Sequence, residues 1–388
     1  MTLVVLVLFE AALRVLDMPL VDACWKADEQ VWVQDPELGM KLRPNAEIGP
    51  ATVNALGLRG PVLPLEKDPH VFRILFIGDS TVFGLGVPLE ETFVHLATAA
   101  LAMQAPGQRL EYLIGAIPGA SSFQDRTLLA RLLPYRPDLV VFYVGARNDA
   151  ERAKYFRDAA WPERYARRSA GWHQVRSLQA LEFIADSIWK EMLRRLRPRT
   201  WQARVPPDEF EANMAAMLAE TLRAGASAVV LVPPYADSFE KHLKILHLYR
   251  EILRESAVAS GAPYVELQEV FAGHDESTVY LEDKVHPTAA GHRLIADEIV
   301  RVVRKAGLAP HASALDYSAT QRVASASSRS WNTRTCPEIT SPKTLTAARI
   351  HSTSDTSAIF SQLARCARPS FVSSHIAAAS NPVNSSPR

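Results

Sequence analysis

The chain has 388 residues with 43 Lys and Arg against 42 Asp and Glu, a formal net charge of +1, so no charge excess points to nucleic acid or another strongly charged partner. Its three cysteines, Cys24, Cys336 and Cys366, lie far apart and form neither a CxxC pair nor a Cys/His ligand spacing, which argues against zinc, thiol chemistry and a disulfide framework. Enough Val, Leu, Ile and aromatic residues are present to bury a sizeable core, so function has to be sought in local sites.

Residues 2–9 are apolar apart from Thr2, and the run continues past Glu10 and Arg14 to Leu16. As a helix this stretch would rise about 24 Å, short of the roughly 30 Å hydrocarbon core, and it lacks the basic start and small-residue cleavage site of a signal peptide. Residues 1–16 therefore read either as the end of a membrane anchor or export signal that begins upstream, or as a helix packed on the domain that follows. Residues 17–70 are rich in Pro, Gly and Asp and are expected to be an arm of turns and short extended pieces laid on that domain, with Asp35–Asn45 and Asn54–Gly60 as its clearest phrases.

From residue 71 strand-like and helix-like patterns alternate. Strands are expected at 72–78, 110–116, 138–145, 227–233 and 263–267, and helices at about 90–104, 121–134, 208–224, 238–260 and 288–306. Such alternation predicts an α/β domain over 71–306 with a five-stranded parallel sheet covered on both faces, and in that architecture ligands sit at the carboxyl ends of the strands. Residues 150–207 interrupt it with a basic, aromatic-bearing insertion that includes Tyr155, Trp161, Arg167, Arg168, Trp172, Trp189, Arg194, Arg195, Arg197 and Arg199. Either it overhangs the site as a lid or acceptor surface, with a basic helix at 176–197 able to meet anionic lipid, or it is a solvated helical excursion packing its own aromatics. After residue 307 the composition turns to Ser, Thr, Ala, Arg and Pro without period, and 307–388 is expected to be a disordered tail, with an out-of-frame C-terminus as the other explanation.

Four short blocks carry chemistry. The first is the apolar run Phe72–Ile77 that breaks at Gly78-Asp79-Ser80 and passes Gly84 and Gly86, as expected of a buried strand delivering a reactive loop. Alone, Asp79 and Ser80 read equally as turn and cap residues. The others are Ile117-Pro118-Gly119-Ala120-Ser121, Val144-Gly145-Ala146-Arg147-Asn148-Asp149 and Asp283-Lys284-Val285-His286-Pro287. A serine hydroxyl needs an imidazole within hydrogen-bond reach, and the imidazole needs a group that fixes its tautomer. His286, with Asp283 three residues earlier, is the best-placed pair for Ser80; His95, His242, His247, His274 and His292 lack such a block.

In this order and spacing the four blocks resemble the SGNH, or GDSL-type, hydrolases over residues 35–305. The resemblance implies a three-layer α/β/α flavodoxin-like sandwich and an acyl-enzyme mechanism. Ser80 would be the nucleophile, His286 the base and then acid, and Asp283 the orienting acid. The oxyanion hole would comprise the backbone N–H groups of Ser80 and Gly119 and the side-chain amide of Asn148, with Gly115 the competing glycine. Thr81 and Ile117-Pro118 depart from the commonest family residues and leave the substrate class open. The two arm phrases are similar to those of bacterial envelope members, which implies a bacterial, inner-membrane-anchored and extracytoplasmic protein, the cytoplasm being the alternative.

The resulting expectation is a serine esterase acting on acetyl or short-chain acyl esters of carbohydrate or lipid. An O-acyltransferase acting on envelope polysaccharide and a catalytically silent carbohydrate-binding protein are the alternatives. Gly84-Leu85-Gly86 lacks the third glycine of a dinucleotide fingerprint, and neither a Walker loop nor HExxH occurs. No cofactor is expected, and His286 and His292 would bind metal only with further ligands that the sequence does not identify.

Overall fold

The computed structural model describes residues 2–15, 30–153, 157–169, 202–240 and 245–310. Most of the expected insertion, its helix at 176–197 with Tyr155, Trp172, Trp189 and Arg194 to Arg199, and the tail beyond 310 lie outside the described residues.

The chain opens with α1 (Thr2–Val15). The arm holds two antiparallel hairpins, β1 (Trp32–Asp35) with β2 (Gly39–Leu42), and β3 (Glu47–Ile48) with β4 (Ala51–Thr52). The short extended pieces expected from sequence are here paired into hairpins. The α/β region follows as β5 (Val71–Gly78), α2 (Ser80–Phe83), α3 (Phe93–Gln104), β6 (Arg109–Ala116), α4 (Ser122–Leu132), β7 (Leu139–Tyr143), α5 (Ala146–Ala150), α6 (Trp161–Ser169) and α7 (Pro207–Arg223). It is completed by β8 (Ser227–Val232), α8 (Asp237–Glu240), α9 (Leu246–Ser260), β9 (Tyr264–Glu266), α10 (Leu267–Phe271), α11 (Glu276–Val279) and α12 (Ala289–Lys305).

Strands β5 to β9 form one parallel five-stranded sheet in the order β6-β5-β7-β8-β9. Alternate residues of its strands serve opposite cores, as the two-residue period of a strand requires. Ile74, Phe76, Val141, Val229 and Leu231 join α3 and α12 on one face through Phe93, Ala97, Leu101, Ile295, Ile299 and Val303. Leu75, Ile77, Val140, Phe142, Val230 and Val232 join α4, α7 and α9 on the other through Leu129, Phe210, Met214, Met217, Tyr249 and Leu253. Each large side chain so buried contributes about 1.5–3 kcal/mol relative to exposure, and the result is an α/β/α sandwich. The helix expected at 90–104 starts later, at Phe93, because the Thr92 hydroxyl caps it by accepting the His95 N–H.

Among the contacts that fasten the arm, two involve buried or bidentate arginines. Arg131 of α4 donates to both carboxylate oxygens of Asp35, at 2.9 and 2.8 Å, and the Trp161 indole donates to the Asp35 carbonyl. Arg59 is buried to 2% exposure and donates to the carbonyls of Phe83, Gly84 and Val87, each at 2.7 Å.

Candidate active site

The strand β5 ends at Gly78, where any added Cβ would lie 2.1 Å from the Tyr143 carbonyl oxygen, so only glycine lets the ends of β5 and β7 come this close. Asp79 then caps the single turn α2, its side chain accepting the Thr81 N–H at 2.9 Å. Ser80 is the first residue of that turn, and Gly84 closes it in the left-handed conformation at φ 75°. The sequence reads Ser80 as either nucleophile or cap; in the structure the cap is Asp79, which leaves the Ser80 hydroxyl for another partner.

That partner is His286, whose Nε2 lies 2.7 Å from Ser80 Oγ. On its other side Nδ1 lies 2.5 Å from Asp283 Oδ2. The 281–287 loop builds this pair locally. Asp283 Oδ1 accepts the backbone N–H groups of Val285 and His286, both at 3.0 Å, while Lys284 takes a left-handed φ of 60° and the Leu281 N–H bonds back to the His286 carbonyl. Burial alone would raise the Asp283 carboxyl, but the His286 ring, its positive charge when protonated, and the two backbone donors hold it down to about 2. It is therefore ionised near neutral pH, as a group that orients an imidazole and stabilises an imidazolium must be.

Asn148 joins the first, second and third blocks. Its amide donates to Asp79 Oδ2 at 3.0 Å and to the Ala120 carbonyl at 2.8 Å. Gly145 makes room for this arrangement, because an added Cβ there would lie 2.0 Å from Asp79 Oδ2. Both amide hydrogens are thus used within the protein in this conformation. By contrast, the backbone N–H groups of Ser80 and Gly119 have no hydrogen-bond partner among the described residues. Gly119 sits at φ 78° with open space around its Cα; Gly115 lies within β6, its Cα enclosed by Ile77 and Leu132, so it is Gly119 that occupies the loop.

Burial raises Asp79, opposed by the Thr81 bonds and by the charges of His286 and Arg147. Behind it Asp149 accepts the Ser122 N–H at 2.9 Å and hydroxyl at 2.5 Å, yet burial still pushes it up to about 8. Asp125 is fully buried with no donor to either oxygen among the described residues; burial first, then Asp149 and Asp79, push it well above the usual range.

His292 belongs to the core. It accepts the Phe93 N–H at Nδ1, stacks on the Phe93 ring, and is driven down to about 3 by burial, with Arg59 and His286 adding to the effect. Among the described residues no group of three or more His, Cys, Asp or Glu is arranged to hold a metal ion. Sequence reading missed Arg59, Asp158 and Arg204 as residues that touch the loops of this site. Arg59 lies in the Asn54–Gly60 stretch with no motif that gives it a role, and Asp158 and Arg204 are single charges in a charged insertion, with no local pattern to mark them.

The GDSL-like lipase/acylhydrolase family matches residues 76–294, more than half of the chain, and the chain belongs to that family of ester hydrolases. Solved structures similar to it include a lipase/acylhydrolase from Enterococcus faecalis, 19% identical over 60% of this chain and 96% of that one, TM-score 0.41. An α/β-hydrolase enzyme from the metagenome of Lake Arreo, Spain, is 19% identical over 60% and 95%, TM-score 0.40. An acetylxylan esterase from Geobacillus stearothermophilus is 20% identical over 60% and 94%, TM-score 0.39. No curated protein matches the chain.

Proposed function

We propose that this protein is a serine esterase that cleaves acetyl or short-chain acyl esters through an acyl-enzyme on Ser80. The observation that carries this reading is the continuous chain Ser80 Oγ, His286 Nε2, His286 Nδ1, Asp283 Oδ2, with links of 2.7 and 2.5 Å. In the first half-reaction Ser80 Oγ bonds to the ester carbonyl carbon as its proton passes to His286 Nε2. The tetrahedral intermediate then collapses, the alcohol leaving with that proton. In the second half-reaction His286 takes a proton from water as the water attacks the acyl-enzyme. Collapse then breaks the bond to Ser80 Oγ, which regains that proton from His286 as the acid leaves. The free N–H groups of Ser80 and Gly119 are the backbone donors for the oxyanion, and Asn148 can add a third only by giving up one of its present bonds.

Carbohydrate or lipid is the proposed carrier of the ester, and an envelope location the proposed setting. The apolar helix α1 supports association with a lipid surface: Val4, Val5, Val7 and Leu8 are each about 60% exposed, and Phe9 is exposed beside them. None of the described helices is long and apolar enough to cross a membrane.

Hydrolysis of short and medium p-nitrophenyl esters by wild type and Ser80→Ala tests the reading. Turnover that vanishes in Ser80→Ala supports it. Acyl transfer to a sugar hydroxyl without net hydrolysis would replace it with the acyltransferase, and a folded wild type that neither hydrolyses nor transfers would replace it with a silent binding protein.

A further inference from the structure

The turn that carries Gly119 makes few bonds within itself. Within it the Ala120 N–H bonds to the Ile117 carbonyl at 2.9 Å, and Gly119 itself takes a left-handed φ with no neighbour near its Cα. A donor that must meet a developing oxyanion needs a fixed direction, because electrostatic stabilisation depends on dipoles already oriented before the reaction.

Asn148 holds the Ala120 carbonyl, and the hold on Gly119 itself comes from the two ends of the insertion. Those ends are zipped together by backbone bonds: Ala153 N–H to Gln202 O at 2.8 Å, Arg204 N–H to Glu151 O at 2.8 Å and Asp158 N–H to Arg204 O at 3.1 Å. From this neck Arg204 Nη1 donates to the Gly119 carbonyl at 3.0 Å, while its Nη2 and Nε donate to Asp158 Oδ2 at 2.8 and 3.2 Å. The same Asp158 oxygen lies 2.7 Å from the Ser121 hydroxyl, whose single hydrogen it shares with Gln124 Oε1 at 2.6 Å. One ion pair therefore grips the turn on both sides of Ala120, whose own carbonyl is held by Asn148. Arg204 and Asp158 are only 20% and 13% exposed, so solvent screens this pair little.

We propose that Arg204, anchored by Asp158, is a positioning residue for the oxyanion hole: by holding the Gly119 carbonyl it fixes the direction of the Gly119 N–H. This rests on the esterase reading. Arg204 touches no reacting atom, and its planar fork makes the Asp158 and Gly119 contacts at once, which a lysine cannot reproduce. The neck of the insertion thereby becomes part of the catalytic apparatus.

The test uses the full chain and counts active sites by titration with a fluorophosphonate, so that each rate is expressed per competent Ser80. Arg204→Gln and Asp158→Asn are expected to lower kcat per titrated site, by about 10- to 100-fold and about 3- to 10-fold respectively, with KM changed less than about threefold. Arg204→Lys should recover only part of the loss. Fluorophosphonate labelling, in which the phosphoryl oxygen takes the oxyanion's place, should slow in proportion to kcat. A purely structural role predicts instead fewer titrated sites, each with wild-type kcat, and that result would overturn the proposal. If Arg204→Gln does not fold, Asp158→Asn decides by the same criterion. Wild type and Ser80→Ala run alongside: a wild type that neither turns over esters nor labels would defeat the esterase reading and this proposal with it, whereas an active wild type with unchanged variants defeats this proposal alone.

Discussion

Asn148 gives one amide hydrogen to the Asp79 carboxylate at 3.0 Å and the other to the Ala120 carbonyl at 2.8 Å. The residue expected from sequence to face the oxyanion thus also ties the nucleophile turn to the Gly119 turn. Replacing it by alanine removes the tie and the proposed oxyanion donor together. Asn148→Ala is expected to lower kcat on a p-nitrophenyl ester by about 100- to 1000-fold with little change in KM. A kcat within about threefold of wild type would show that Asn148 is only a tie between loops.

In the proposed esterase Asp283 supports both rate and stability. Asp283→Asn keeps the shape but loses the charge that orients His286, and kcat is expected to fall by about 10²- to 10⁴-fold. The folded carboxyl lies at about 2, below its unfolded value near 3.9, so its stabilisation is present above about pH 4 and is lost as pH falls toward 2. Melting temperatures of wild type and Asp283→Asn should therefore differ modestly at neutral pH, since the side chain is 48% exposed, and converge between pH 4 and pH 2. A gap that widens on acidification would contradict the assignment.

Asp125 works in the opposite direction. Its folded value is raised by burial and by Asp149 and Asp79, so its contribution is most favourable below about pH 4 and is progressively lost as pH rises above that. Asp125→Asn removes this penalty without changing the shape. The melting temperature of the variant minus that of wild type should grow with pH from 4 to 8 and be positive at pH 7. A variant less stable than wild type at pH 7 would show that the carboxylate has a compensating role.

Arg59 is a buried cation whose bonds go to three carbonyls rather than to a carboxylate, and burial pushes it down to about 10 despite the opposing charge of Glu90. Arg59→Met would leave the Phe83, Gly84 and Val87 carbonyls without that donor just beyond the Ser80 turn. Thermal unfolding is expected to show a loss of about 3 kcal/mol, and ester turnover should fall as the turn loosens. Unchanged melting would mean that the three carbonyls find other donors.

The sheet was legible because each parallel strand is a short apolar run. Val140, Val141 and Phe142 face two cores at once, so nothing in that stretch is polar enough to mislead. The Ser80, Asp283 and His286 cluster was legible because its members lie in compact local blocks that recur in a family. Residues whose role depends on distant contacts were not. Arg204 reaches Gly119 across 85 positions, and Arg59 reaches Gly84 from an arm whose hairpins are too short to leave a periodic pattern. The commitment of Asn148 to Asp79 is likewise a three-dimensional fact, made possible by Gly145 leaving space for a carboxylate oxygen.

The most direct test of the central claim is mass-spectrometric mapping of a fluorophosphonate adduct on the full chain, comparing wild type with His286→Ala. The account predicts a single adduct on Ser80 in wild type, formed with loss of fluoride, and labelling at least about 100-fold slower in His286→Ala. An adduct on another residue, or Ser80 labelling as fast without His286 as with it, would contradict the account.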